Sequence, residues 1–222
     1  MTISNLKQAT ALAALVSVMA IPRIIEGELG ILPRLLMAFP AMTLVAGSAT
    51  AWGKHGGMCG PWPERHVAAR GMRVALIAGF AMAPVLLAFD FDLKTVMAAA
   101  LRPHAVTLAF PETVSGCLAL MLWSAGFETL FFRAGTMAFI ARVTRRLWIA
   151  VLGSVLLRAF VTFMLMTPAD VSTVMIVRLI GVSVLSAVAC LLYARAGLPA
   201  AMLFAAVLES RHLLRLLLER GL

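Results

Sequence analysis

Glu128 stands inside the apolar run 114–132 and opens the string Glu128-Thr129-Leu130-Phe131-Phe132-Arg133. A carboxylate in a dry site can do one of two things. With a tuned proton affinity it activates water as a general base. Paired with a cation it ties helices together, because an unpaired charge in hydrocarbon costs about 2.5–3.5 kcal/mol even on mild scales. Arg158 and Arg178 also lie deep in later apolar runs, and Glu209 sits near the end of the last one. Glu128 is 14 residues from Arg142, about 21 Å along a helix, and Arg158 is 12 residues from Arg146, about 18 Å. The matching depths predict an ion pair Glu128–Arg158 between antiparallel neighbours. Arg178 is expected to pair with Asp170 or Glu209. A guanidinium on Glu128 occupies the carboxylate and argues against a free general base.

The elements that must position these charges are membrane helices. Hydrophobic residues make up 62% of the 222 and charged ones 13%, with a mean hydropathy of +0.99. That composition excludes an ordinary soluble domain, and the ten-residue alternation of a β-barrel is absent. At roughly 20 residues per span, the runs 8–22, 31–51, 74–89, 114–140, 147–166, 171–194 and from 198 onward give six to seven spans. The segment 90–112 includes an alanine-rich piece that reads as an interfacial helix. Tight turns are expected at 167–170 and 195–197, and a basic amphipathic tail over 209–222. The N-terminal stretch reads as a first span rather than a cleaved signal.

The net charge of +9 is better assigned to loop cations and anionic lipid head groups than to nucleic acid. The basic loops around Lys54, Arg65, Arg70 and Arg73 and around Arg142, Arg145 and Arg146 put the N-terminus on the cytoplasmic side. Trp52, Trp62 and Trp148 suit an aromatic belt, and Gly197, Ala201 and Ala205 form a small-residue stripe for close packing. Cys59, Cys117 and Cys190 show no paired spacing. His55, Cys59 and His66 have metal-binding chemistry but no standard zinc spacing, so neither a metal nor another cofactor is expected.

Glu128-Thr129-Leu130-Phe131-Phe132-Arg133-Ala134-Gly135 resembles the first motif, Glu-Glu-x-x-x-Arg, of the CPBP family of intramembrane proteases, which includes the CAAX-processing endopeptidases and bacteriocin-immunity relatives. The likeness runs over 118–212: a basic turn at Arg145-Arg146, a helix, a short turn, then Leu192-Tyr193-Ala194-Arg195-Ala196-Gly197-Leu198. The resemblance implies an all-α core in which glutamates and histidines polarise a water for peptide-bond attack. The second glutamate is here Thr129. The Phe-x-x-x-His motif falls on Arg158 and Thr162, and the His-x-x-x-Asn motif on Ala206 and Ser210. Glu128 and Arg133 are then vestigial. His212 is six residues from its expected place, about 9 Å along a helix.

The expectation is therefore an all-α polytopic bundle of six to seven spans, with N-terminal helices and loops over 1–112 and a CPBP-like core with a basic tail over 113–222. Its function is expected to be noncatalytic: a binding or assembly subunit for an integral membrane partner in a bacterial inner membrane. The alternative is an active endopeptidase with an atypical site using Glu128, joined by Glu209 and His212. A small transporter would need a continuous polar path, which these spans lack.

Overall fold

The computed structural model describes residues 3–25, 31–100, 110–164 and 173–221, with side chains over 6–23, 39–91, 110–164 and 175–221. Among these the chain is helical, without strands. In order come α1 (Ile3–Ile25), α2 (Ile31–Trp52), a short turn of helix His55–Gly57, α3 (Arg65–Ala100), α4 (Val114–Trp123), a π-helical segment (Ser124–Gly135), α5 (Thr136–Thr144), α6 (Leu147–Met164), α7 (Thr173–Glu209) and α8 (Arg211–Glu219). Among the described residues four stretches are long and apolar enough to cross a membrane: Arg65–Phe91, Val114–Thr144, Leu147–Met164 and Met175–Glu219. The chain is thus a helical membrane bundle.

Three expectations are corrected. The third helix was expected over 74–89, but α3 begins at Arg65, so residues 65–73, expected as loop, are helix, and Asp90, expected to open the segment 90–112 after that helix, lies within α3. Run 114–140 is not one α-helix: α4 passes into the π-helical segment, which passes into α5. The turn expected over 195–197 is confined to one residue. Gly197 has φ 80° and ψ −174°, while Arg195 and Ala196 remain helical. This region of backbone space is open essentially to glycine alone. The break frees the Leu198 amide, which donates to the Pro61 carbonyl at 3.0 Å. The turn 167–170 and Asp170 lie outside the described residues.

Lipid tails are as apolar as leucine, so helices gain contact here through close backbone approach. α3 meets α7 at small residues: a Cβ on Gly71 would overlap that of Ala196, and one on Gly79 would stand 2.7 Å from Val207 Cγ1. Ala201 and Ala205 of the expected stripe are buried. The main core joins α1, α2, the π-helical segment, α5 and α7 around Leu130, Met137, Tyr193 and Leu198. Leucine and phenylalanine side chains on the outer faces of α3, α6 and α7 are exposed, as a lipid-facing surface requires.

Candidate functional site

The π-helical segment carries the site. Extended i→i+5 helix is rare and occurs mostly as single turns, often at functional positions; here it runs for 12 residues. Its threonines support the wider register. Thr129 Oγ1 donates to the Ser124 carbonyl at 2.9 Å and Thr136 Oγ1 to the Phe131 carbonyl at 2.8 Å, each five residues back. Ser154 of α6 donates to the Phe132 carbonyl and accepts from Cys190 Sγ of α7 at 3.4 Å, which pins the segment to both helices.

Arg158 of α6 reaches Glu128 with Nη2 2.8 Å from Oε1. The Ser124 hydroxyl donates to the other oxygen, Oε2, at 3.3 Å. The two side chains are 12% and 21% exposed, so water screens the pair little. The Arg158 guanidinium also lies 5.2 Å from the centroid of the Phe132 ring, a favourable cation–π position. Phe132 packs edge-on to Phe131 at 5.0 Å, and Trp123 and Phe127 stack at 4.1 Å. Both carboxylate oxygens are engaged, beside a wall of aromatic rings.

Arg133 does not join this pair. Its Nη1 donates to Thr129 Oγ1 at 2.5 Å and lies 3.5 Å from the Ser124 carbonyl. Thr129, standing where the resemblance would put a second glutamate, therefore holds the motif arginine with a hydroxyl. On α6, Thr162 is buried and bonds only its own helix, to the Arg158 carbonyl at 3.0 Å. Ser210, like it, bonds locally, to the Val207 carbonyl at 2.6 Å.

Glu209 is held by its own end of the chain. Arg211 Nη1 lies 3.1 Å and His212 Nε2 3.3 Å from its Oε2. Arg211 Nε reaches Asp90 Oδ2 of α3 at 2.9 Å, and His212 Nδ1 is 3.6 Å from the same oxygen. The alternative partner set for Glu209 is thus Arg211, His212 and, through them, Asp90. His212, in the stretch expected to be a basic amphipathic tail, is 1% exposed. Arg215 is fully buried: Nη2 donates to the Pro111 carbonyl at 2.7 Å, its guanidinium lies 5.8 Å from the Phe110 ring, and Nε is 3.5 Å from Glu219. The basic tail is a buried clamp joining α3, the approach to α4, and α8. A hint of this stands in the sequence: Arg211, Arg215 and Glu219 recur every four residues, so they share one helix face. Asp90 gave no such signal, because its helix was expected to end before it.

The remaining metal-type residues are dispersed. His55 Nδ1 faces the Trp52 carbonyl at 3.1 Å, His66 sits beside Glu64 at the surface, and Cys59 Sγ faces the Tyr193 carbonyl at 3.7 Å. Among the described residues no three His, Cys, Asp or Glu side chains are grouped to hold an ion. Comparison of the chain with family models, with curated proteins and with solved structures finds no match.

Proposed function

We propose that this protein is a noncatalytic, CPBP-like integral membrane protein of six to seven spans that serves as a binding or assembly subunit for another membrane protein. The observation that carries this reading is the closure of Glu128. Arg158 takes one carboxylate oxygen and Ser124 the other, so the group best placed to activate water is committed to joining α6 to the π-helical segment. With the chemistry removed, what remains is a scaffold whose α3, α6 and α7 expose many large apolar side chains, so a partner would dock within the bilayer. The bacterial inner membrane and a cytoplasmic N-terminus belong to the same reading, through the placement of the basic loops.

The test is a neutral replacement of the pair. The double variant Glu128→Leu with Arg158→Met removes both charges and every proton-transfer capacity at the site. For a subunit, it still migrates from solubilised native membranes as an assembly larger than its own 23.7 kDa, and cells keep the wild-type pattern of membrane peptides. A protease would lose a cleavage product although the variant is folded. Migration of the wild-type chain at its own mass alone would refute the assembly role.

A further inference from the structure

An apolar groove of about 460 Å³ runs between α6 and α7. Its walls are Trp148, Val151, Leu152 and Val155 of α6 with Ala187 and Leu191 of α7. It opens outward, with Trp148, Leu152 and Leu191 largely exposed. The wall from Leu147 to Val155 is about 12 Å long at 1.5 Å per residue. That is close to one leaflet, half of a hydrocarbon core about 30 Å thick. A transmembrane helix would need a face along the full thickness, whereas one acyl chain needs one leaflet.

Cations gather at one end of the groove. Arg145 and Arg146 precede its first wall residue, Leu147, and are exposed. On α7, Ala187, Leu191 and Arg195 recur every four residues, so Arg195 stands one turn beyond the groove on the same face. A single loop fixes these arginines at one level. A Cβ on Gly56 would lie 3.6 Å from Leu147 N and 3.8 Å from Arg145 C, while Cys59 N donates to the Ala194 carbonyl at 2.8 Å. The segments 53–63, 141–148 and 190–198 contain no Asp or Glu. Arg145 also has φ 56° and ψ 19°, and among the described residues it alone holds a positive φ without being glycine. Glycine takes this helix-ending position without strain. Strain retained at one residue of a cationic cluster points to a use for that side chain.

We propose that this groove binds an anionic phospholipid, with one acyl chain between α6 and α7 and the phosphodiester among Arg145, Arg146 and Arg195. Trp148 then lies at the level of the glycerol backbone, where indoles favour the interface. The site is independent of the Glu128–Arg158 pair and of the subunit reading.

The experiment is native mass spectrometry of the purified full chain with equimolar phosphatidylglycerol and phosphatidylcholine of identical acyl chains. Wild type should retain phosphatidylglycerol preferentially. Arg195→Gln and Arg145→Gly should each lower that preference roughly fivefold, the weight of one cation near an anionic head group. Arg145→Gly should do so while raising thermal stability, which a merely structural arginine would not. Ala187→Phe fills the groove and should lose both lipids. Equal retention of the two lipids by wild type overturns the proposal. So does an unchanged preference in Arg195→Gln, an exposed position that tolerates substitution even if Ala187→Phe fails to fold. Displacement of the phospholipid by sn-glycerol 3-phosphate, with Ala187→Phe indifferent, would assign the site to a free phosphate and likewise overturn it.

Discussion

Breaking the Glu128–Arg158 pair from one side should cost far more than deleting it whole. Removing one partner of a buried ion pair typically costs about 3–5 kcal/mol, whereas replacing both by apolar residues is often neutral. The side chains are 12% and 21% exposed, so little of this is lost to screening. In Glu128→Gln, Arg158 keeps the Phe132 ring at 5.2 Å, worth about 1 kcal/mol, which leaves a loss of about 2–4 kcal/mol. In Arg158→Met, Glu128 retains only the Ser124 hydroxyl at 3.3 Å, and the loss rises to about 3–5 kcal/mol. The combined Glu128→Leu, Arg158→Met chain should lie within about 1 kcal/mol of wild type, several kcal/mol better than the sum of the single changes. At about 2–4 °C per kcal/mol for a chain of this size, Glu128→Gln lowers Tm by roughly 4–16 °C. Heating in detergent with tryptophan emission as the signal reads this, and replacing Trp52, Trp62 and Trp148 by Phe in every chain compared leaves the local reporter Trp123, which stacks on Phe127 at 4.1 Å. Additive losses, or a Glu128→Gln chain melting at the wild-type temperature, would refute the reasoning.

Gly197→Ala should destabilise by about 2 kcal/mol or more, since φ 80° with ψ −174° costs a non-glycine residue about 1–3 kcal/mol and the added Cβ would meet Pro63 and stand 3.0 Å from the Pro61 carbonyl; chemical denaturation measures it. Thr129→Val should loosen residues 124–136 and cost about 1–3 kcal/mol by stranding a buried arginine donor, with Thr129→Ser restoring wild-type hydrogen exchange. Ser154→Ala should cost about 1–2 kcal/mol and speed exchange around Phe132, whose carbonyl it leaves without that donor. Burial pushes the Cys59 thiol above its ordinary value, so less thiolate is present at pH 8 than for a free cysteine. Maleimide labelling should be slow there and climb at higher pH, while buried Cys117 and Cys190 stay unlabelled until the chain unfolds.

Helix type and membrane class are legible because hydropathy is a bulk property that no single contact can reverse. The juxtaposition of Glu128 with Arg158 was also accessible, since antiparallel helices joined by the short turn at Arg145-Arg146 translate equal sequence depth into equal height. The same logic did not foresee the contacts of Glu209 with its own end of the chain. Depth matching assumes straight neighbours, and Gly197 breaks α7, after which Glu209 lies beside Arg211 and His212, which in turn reach Asp90. The end of α3 was missed for a related reason. Asp90 and Asp92 look like an exit to solvent, yet the buried Asp90 carboxylate is compensated by Arg211, 121 residues away, and no local pattern encodes so distant a partner.

The π-helical register is where local chemistry and global packing agree most closely. Threonines elsewhere return their hydroxyls to the fourth residue back: Thr43 to Phe39, Thr50 to Ala46, Thr144 to Ile140 and Thr162 to Arg158. Such bonds are the usual α-helical habit of a buried hydroxyl. Among the described residues only Thr129 and Thr136, of those bonding back to their own helix, reach five residues, and both lie at this segment. The wider turn lets the Ser124 hydroxyl donate to Glu128 while the Ser124 carbonyl accepts from Thr129, so one residue serves the ion pair and the register together. Arg133 then completes the arrangement through Thr129, without a second carboxylate. A glutamate at position 129 would instead add a buried charge facing Arg133 and remove the hydroxyl that holds the fifth-residue bond. The threonine thus fits a site built to hold helices together, and it is the residue at which a water-activating site and a structural one part company.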